Sequence, residues 1–462
     1  MEDIRAVKSL LTQGAYMCSL DLKDAYFLVP VHEKYRKYLR FKFQSKLFQF
    51  TCLPFGLSTS PYTYTKIMKP VMHKLRLMGI LSIIYIDDIL FIQKSYNKCL
   101  NNVKEAINLL ENLGFVLNYP KSSLIPSQKC KYLGFIINSI DFRLELTEKE
   151  KLKIRNMTNQ FKEGNFYKIR DVARMLGVLT AACPAVAYGS IYCKRIERQK
   201  FLALLLNDND YEGEIYINKT MSNDLVWWKE NSQIGSNPIR TFKFSLKLSS
   251  DASLTGWGAH CQGISTQGFW NQEEKKYSIN YLELLTAFFA LKCFAFSLSN
   301  CEILLRMDNT SAISYINRTG GVQLPHLSEL SRKIWQWCES RKLWVFASYI
   351  PSKQNVEADL ASRVSNIDTE WELAPKVFKK INKKWGSFTI DLFASRLYKK
   401  CKRFCSRFPN PEAETVDAFT TTWKNKKFYA FPPFALISRT LQKIVVDEAE
   451  GTVVVPLWPT QP

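Results

Sequence analysis

Ile80-Leu-Ser-Ile-Ile-Tyr-Ile-Asp-Asp-Ile-Leu-Phe-Ile92 sets two adjacent carboxylates, Asp87 and Asp88, at the centre of an apolar run. Apolar residues on both sides read as two buried strands meeting at a turn. A buried carboxylate costs free energy unless something pairs with it, and a divalent cation is the usual answer for two of them. An Asp-Asp pair is also an ordinary turn, so these residues alone decide little. A further carboxylate sharpens the reading. Cys18-Ser-Leu-Asp-Leu-Lys-Asp-Ala-Tyr-Phe-Leu-Val-Pro30 reads as a strand ending near Asp21, followed by a turn. A two-metal site needs carboxylates converging from separate strands, and Asp21 and Asp87 can supply them.

Between these segments, Leu53-Pro-Phe-Gly-Leu-Ser-Thr-Ser-Pro61 is a Pro/Gly-bounded loop opening an apolar helix from about Tyr62 to Met78. Leu113-Gly-Phe-Val-Leu-Asn-Tyr-Pro-Lys121 and Tyr132-Leu-Gly-Phe-Ile-Ile137 follow. The ordered set resembles the palm of retroelement reverse transcriptases. The resemblance implies that Asp21 and Asp87 bind two magnesium or manganese ions and that Asp88 completes the cluster. It implies Tyr26 beneath the incoming sugar, rejecting a 2′-hydroxyl, and Phe55 and Gly56 against the template and nascent base pair. It implies Lys121 as proton donor to the leaving pyrophosphate, for which a solvated loop lysine is the plain alternative. Tyr132 to Ile137 is similar to the hairpin that grips the primer end. RNA template, DNA primer and deoxynucleoside triphosphates are the implied partners.

A second pattern begins at Phe242. Phe242, Phe244, Leu246 and Leu248 alternate with polar residues as far as Ser249, the signature of a strand with one buried face. It runs into Ser250-Asp251-Ala-Ser-Leu-Thr-Gly-Trp-Gly-Ala259, whose glycines suggest a hairpin into the next strand. Asn280 to Leu291 reads as a helix apolar nearly all round, hence buried, with Glu283 inside it. Asn280 and Glu283 also have the spacing of a capping box. Ile303 to Thr310 ends a strand at Asp308, and Tyr349 to Arg363 places Asp359 at a helix start. Strand Asp, helix Glu, strand-end Asp and helix Asp resemble ribonuclease H in its retroelement form. The resemblance assigns Asp251, Glu283, Asp308 and Asp359 to a second pair of magnesium or manganese ions that cut the RNA of an RNA–DNA hybrid. Many such nucleases carry a His ten residues before the last Asp. Tyr349 stands there and cannot titrate near neutral pH as His does, which predicts slower turnover.

The 462 residues suffice for about three domains. A net charge of +22 implies a polyanionic partner, unless it only reflects a lysine-rich source composition. The 12 cysteines are scattered through apolar stretches and read as reduced residues of an intracellular protein, in cytoplasm or nucleus. Cys401 and Cys405 have no His nearby, which argues against zinc. Neither a signal peptide nor a membrane span is expected from the apolar runs, and no membrane partner is expected.

The expected architecture is α+β. Residues 1–145 would form a palm with partial fingers, 146–240 a helical thumb and connection, and 241–365 an α/β ribonuclease H-like domain. Residues 366–462 would form a small β/α tail. The thumb would hold a template–primer duplex through its backbone, the plain alternative being a solvated helical linker. Asp21 lies only 20 residues after Met1. The triphosphate-clamping Lys and Arg of related fingers are not found, so an incomplete gene product with weak nucleotide binding is expected. In the tail, Asp391-Leu-Phe-Ala-Ser-Arg396, Phe428-Tyr-Ala-Phe-Pro-Pro-Phe434 and Val453 to Pro459 resemble the region behind the nuclease in DIRS-type retrotransposons. Phe431-Pro-Pro-Phe434 is similar to the Asn/Asp-Pro-Pro-aromatic loop of DNA adenine methyltransferases. Phe431 cannot accept a hydrogen bond from a target amino group, so a degenerate fold without methyl transfer is expected. Two functions follow: a polymerase with ribonuclease H, or a polymerase-inactive relic that binds hybrids and retains at most the nuclease.

Overall fold

The computed structural model describes residues 2–363 and 372–459. The chain forms two compact units, Met1–Thr241 and Phe242–Pro462. The expected join between nuclease and tail, at 365/366, falls within the second unit and outside the described residues.

The first unit is built on a four-stranded sheet in the order Ser82–Tyr85, Asp88–Gln93, Tyr16–Asp21, Ser123–Ser127. The first three strands pair antiparallel. The hairpin register sets Tyr85 opposite Asp88, leaving Ile86 and Asp87 as a two-residue turn. Ile86 has φ +56°, a region in which a β-branched residue is a genuine outlier. The register of the central pair sets Asp21 opposite Asp88. Helices Ser60–Leu77 and Tyr96–Asn112 cover the sheet with one apolar core that includes Leu20, Tyr64, Met68, Ile89, Phe91 and Val103. Arg40–Phe43 and Lys46–Gln49 form a separate two-stranded hairpin, exposed throughout. A second four-stranded sheet, Ser236–Pro238, Arg143–Leu146, Phe135–Asn138, Lys129–Tyr132, carries the expected primer hairpin. Four helices follow, Glu148–Gln160, Ile169–Ala182, Ile191–Leu206 and Lys219–Ile234, as the charge and apolar pattern of 146–240 predicts. Thr147 caps the first by accepting from the Glu150 backbone N–H.

The second unit opens with a five-stranded sheet in the order Ile264–Phe269, Gly256–Cys261, Phe244–Ala252, Glu302–Met307, Trp344–Tyr349. The first two pairings are antiparallel and the last two parallel. Helix Ile279–Phe294 is buried from Leu282 to Leu291, so its continuous apolar sequence is a core signature. Ser278 is its N-cap residue and accepts no side-chain bond. The capping box open to Asn280 and Glu283 does not form: Asn280 lies inside the helix and accepts from Asn309. Gly256 and Gly258, expected to turn a hairpin, lie within the second strand instead. A Cβ on Gly258 would stand 2.3 Å from the Ala358 carbonyl and 2.5 Å from the Ser362 nitrogen. These glycines admit the backbone of helix Val356–Ser362 against the sheet.

The tail is a fully parallel sheet of short strands in the order Thr415–Val416, Arg403–Ser406, Ile390–Asp391, Phe428–Ala430, Gly451–Val453. Its core gathers Ile390, Leu392, Trp423 and Phe428. The tail docks on the five-stranded-sheet domain through Arg396, whose two terminal nitrogens grip Glu274 at 2.7 and 2.9 Å. The same guanidinium lies 4.6 Å from the Phe289 ring centroid, and both charged groups are mostly buried. A planar fork suits this two-point grip. No helix among the described residues is long and apolar enough to cross a membrane.

Candidate active sites

The palm residues converge through backbone bonds as well as strand register. The Leu22 N–H donates to the Asp87 carbonyl at 2.9 Å, and Asn118 N–H to the Asp21 carbonyl at 2.8 Å. Ser122 accepts from the Asp21 N–H at 3.0 Å and donates to the Asn118 carbonyl at 2.9 Å. These bonds tie the strand end, the aspartate hairpin and the Asn118–Lys121 turn into one junction. Burial raises the Asp88 carboxyl to about 6, helped by the neighbouring charges of Asp87 and Asp21 and by a hydrogen bond with Asp21. Asp87 is also pushed up, first by burial and then by Asp21. The Lys121 charge opposes both shifts, so this lysine lies near enough to act on the cluster.

Tyr26 is buried, with its ring 5.1 Å from Phe55 and 5.7 Å from Tyr64. Phe55 itself is exposed, and Gly56 beside it has φ +89°. Tyr132, expected to touch the primer, is buried instead, and its hydroxyl donates to the Asp88 carbonyl at 3.3 Å. It therefore fixes the aspartate strand from beneath. The Tyr64 hydroxyl, deep in this core, has no hydrogen-bond partner, and burial and Asp87 both push its ionisation up. Nothing in the sequence marks Tyr64, since an aromatic on an apolar helix looks like packing.

The carboxylates of the second unit meet more closely. Asp251 ends the first strand, Glu283 rises from the buried helix and Asp308 follows the fourth strand of the chain's second unit. Among the described residues these are the group of three whose ligand atoms all lie within 4.8 Å of one another. Asp21, Asp87 and Asp88 do not meet that closeness. Burial raises the Glu283 carboxyl to about 9, with Asp251 and Asp308 adding repulsion. Asp251 is raised by burial, against a hydrogen bond from Ser362. Glu283 Oε2 is buried and has no hydrogen-bond partner. An orphaned acceptor costs free energy, and here it faces two more carboxylates. All-oxygen ligands and an unsatisfied acceptor fit a hard divalent cation such as magnesium or manganese.

Asp359 stands outside this group. Its Oδ1 is held by Arg363 at 2.6 Å, and it acts on Asp251 as a neighbouring charge. It lies in the first turn of helix Val356–Ser362, at a helix start as the sequence predicts. Two serines with no role in the sequence reading orient the others. Ser362 donates to Asp251 Oδ2 and Ser352 to Asp308 Oδ2, each at 2.6 Å. Both lie inside the Tyr349–Arg363 stretch, but a serine at such a spacing reads equally as turn or helix surface. Tyr349 is exposed.

Residues 1–137 match the family described as reverse transcriptase (RNA-dependent DNA polymerase). The enzymatic polyprotein of cauliflower mosaic virus (strain D/H) is 25% identical over 371 residues, which is 75% of this chain and 50% of that protein. The enzymatic polyprotein of figwort mosaic virus (strain DxS) is 24% identical over 382 residues, 79% of this chain and 53% of the relative. The transposon Tf2-3 polyprotein of Schizosaccharomyces pombe is 28% identical over 123 residues, 27% of this chain and 9% of the relative. The chain thus spans about half the length of the viral relatives it matches. Among solved structures, the foamy viral protease-reverse transcriptase in complex with RNA/DNA hybrid is 18% identical, covering 81% of this chain and 51% of that one, with a TM-score of 0.45. These relatives support the retroelement and viral reverse transcriptase family at large and do not reach the DIRS subclass.

Proposed function

We propose that this chain copies RNA into DNA and cleaves the RNA strand of the resulting hybrid, as the product of a retrotransposon acting inside the cell. The observation that carries this reading is that one chain folds two acidic centres, Asp21/Asp87/Asp88 and Asp251/Glu283/Asp308, in two separate units. Divalent magnesium or manganese, two ions per site when bound, supplies charge neutralisation and lowers the pKa of the attacking oxygen. In the first centre Asp21, Asp87 and Asp88 hold the cations, and Tyr132 and Ser122 hold the strands that bear them. Lys121, whose charge acts on this cluster, would protonate the departing pyrophosphate. Tyr26 closes the floor beneath the incoming deoxynucleoside triphosphate, with Phe55 and Gly56 along the template. Packing of this kind positions the reactants, which is most of the work in nucleotidyl transfer.

In the second centre Asp251, Glu283 and Asp308 hold the cations, and Ser362 and Ser352 lock two of the three rotamers. Asp359 joins them when Arg363 releases it. The tail supports the narrower assignment to DIRS-type elements: Phe431-Pro-Pro-Phe434 follows the strand Phe428–Ala430, next to the strand bearing Asp391. A methyltransferase role is not part of this proposal.

Primer extension on an RNA template and cleavage of an end-labelled RNA–DNA hybrid, run with the same preparation, test the reading. Asp87→Asn should abolish extension and spare cleavage, and Asp308→Asn should do the reverse. Equal loss of both activities in either variant would reject two independent centres.

A further inference from the structure

Helix Pro375–Trp385 has the sequence Pro-Lys-Val-Phe-Lys-Lys-Ile-Asn-Lys-Lys-Trp and buries no residue fully. At 3.6 residues per turn, Lys376, Lys379, Lys380, Lys383 and Lys384 fall on one face. Val377, Phe378, Ile381 and Trp385 fall on the other. The apolar face is the attached one, since Phe378 packs its ring 5.0 Å from Tyr429 and 6.1 Å from Phe388. The lysine face is exposed along its length. It contains no acidic residue, and none of its five ammonium groups lies within salt-bridge distance of a carboxylate among the described residues. Lys384 is the one with a neighbour, the Trp385 ring at 4.7 Å.

Several cations elsewhere in the tail are paired. Lys399 pairs with Glu412, Lys400 with Glu372, Arg403 with Glu414, Lys424 with Glu448, and Lys443 with Asp447. Arg396 is consumed by Glu274. Lys402, Arg407, Lys426 and Arg439 also make no ion pair among the described residues, but the densest run of unpaired charge is this helix face, and Lys427 extends it, with Nζ 2.9 Å from where a Cβ on Gly386 would stand. Like charges at i,i+3 and i,i+4 repel and destabilise a helix, so the stripe costs stability unless an anion covers it.

We infer that this lysine stripe is a nucleic-acid clamp: it grips the phosphate backbone of the RNA–DNA hybrid, giving the tail a binding role rather than a catalytic one. The inference rests on the proposed function only for the identity of the duplex. Lys376 to Lys384 rises about 12 Å along the helix, and a duplex carries one phosphate charge per about 1.7 Å of its axis. Several lysines therefore reach phosphates at once. Lysine serves as a point charge, and no base edge is read, so the grip is sequence-independent.

The test uses the full chain. Lysine acetylation footprinting by mass spectrometry, with and without a hybrid duplex, should show Lys376, Lys379, Lys380, Lys383 and Lys384 protected. Binding to the same hybrid is then followed between about 50 and 200 mM salt. Replacing all five by Gln should weaken binding about tenfold or more and flatten the salt slope by roughly 3–4, at about 0.9 per phosphate contact. Five Lys→Arg changes should keep slope and affinity. Lysines equally reactive with and without hybrid, or an unchanged slope in the Gln variant, overturn the inference. So does protection by phosphatidylserine vesicles but not by hybrid, which would make the stripe a membrane contact. Active extension and cleavage with an unprotected helix reject this inference alone. A wild-type chain that binds no hybrid rejects the function it rests on as well.

Discussion

At the scale of single residues, Glu283 carries the most information. Its carboxyl is raised to about 9 because the helix around it excludes water and two other carboxylates face it. The folded metal-free protein therefore holds a proton there that the unfolded chain releases near 4.5. Stability contributed by that proton is present at acid pH and is lost as pH rises from about 4.5 toward about 9. Glu283→Gln keeps the neutral form at every pH. In EDTA at pH 8 it should be more stable than wild type by at least about 1 kcal/mol, with the gain vanishing near pH 5, as read by urea unfolding. The same variant should lose hybrid cleavage. A Gln variant that is less stable at pH 8 would mean Glu283 is not a suppressed anion. The carboxylates of both centres were legible as residue types in strand-end and helix contexts. Ser352 and Ser362 were not, because a hydroxyl that orients a carboxylate has no spacing of its own.

At the scale of elements, strands and helices followed from periodicity, but contacts between them did not. The alternation from Phe242 to Ser249 marks a strand that the structure continues to Ala252. A two-residue difference in helix start decides the fate of Glu283: with Ser278 as N-cap residue, Glu283 is too deep to cap and must be buried. Gly256 and Gly258 were read as turn-formers, since glycine is equally at home in turns and at close backbone approaches. Only the packing of helix Val356–Ser362 separates the two uses. Gly258→Ala forces a methyl against the Ala358 carbonyl, so the helix bearing Asp359 and Ser362 must move. Overpacking of this kind costs about 1–3 kcal/mol. Loss of the Ser362 grip on Asp251 should lower hybrid cleavage at least tenfold, while primer extension is unchanged. Wild-type cleavage in this variant would show that the helix position is not required.

At the scale of the whole molecule, the boundary near 241 was visible in the sequence as the onset of a second alternation. The attachment of the tail to the five-stranded-sheet domain was not, because Arg396 and Glu274 are far apart in sequence and each looks like an ordinary surface charge. Two compact units with their own cores should unfold in two transitions. A divalent cation held by Asp251, Glu283 and Asp308 stabilises only the unit that contains them, by about 2.7 kcal/mol at a hundredfold excess over its dissociation constant. Calorimetry with manganese should therefore raise the transition of the second unit by roughly 5–10 °C for a unit of this size. The rise should grow between pH 5 and 9, because binding must expel the Glu283 proton. Gly258→Ala should lower that same transition, which identifies it, and Asp308→Asn should remove its response to manganese. A single transition that responds identically in wild type and both variants would show that the chain unfolds as one unit and that Asp308 holds no cation.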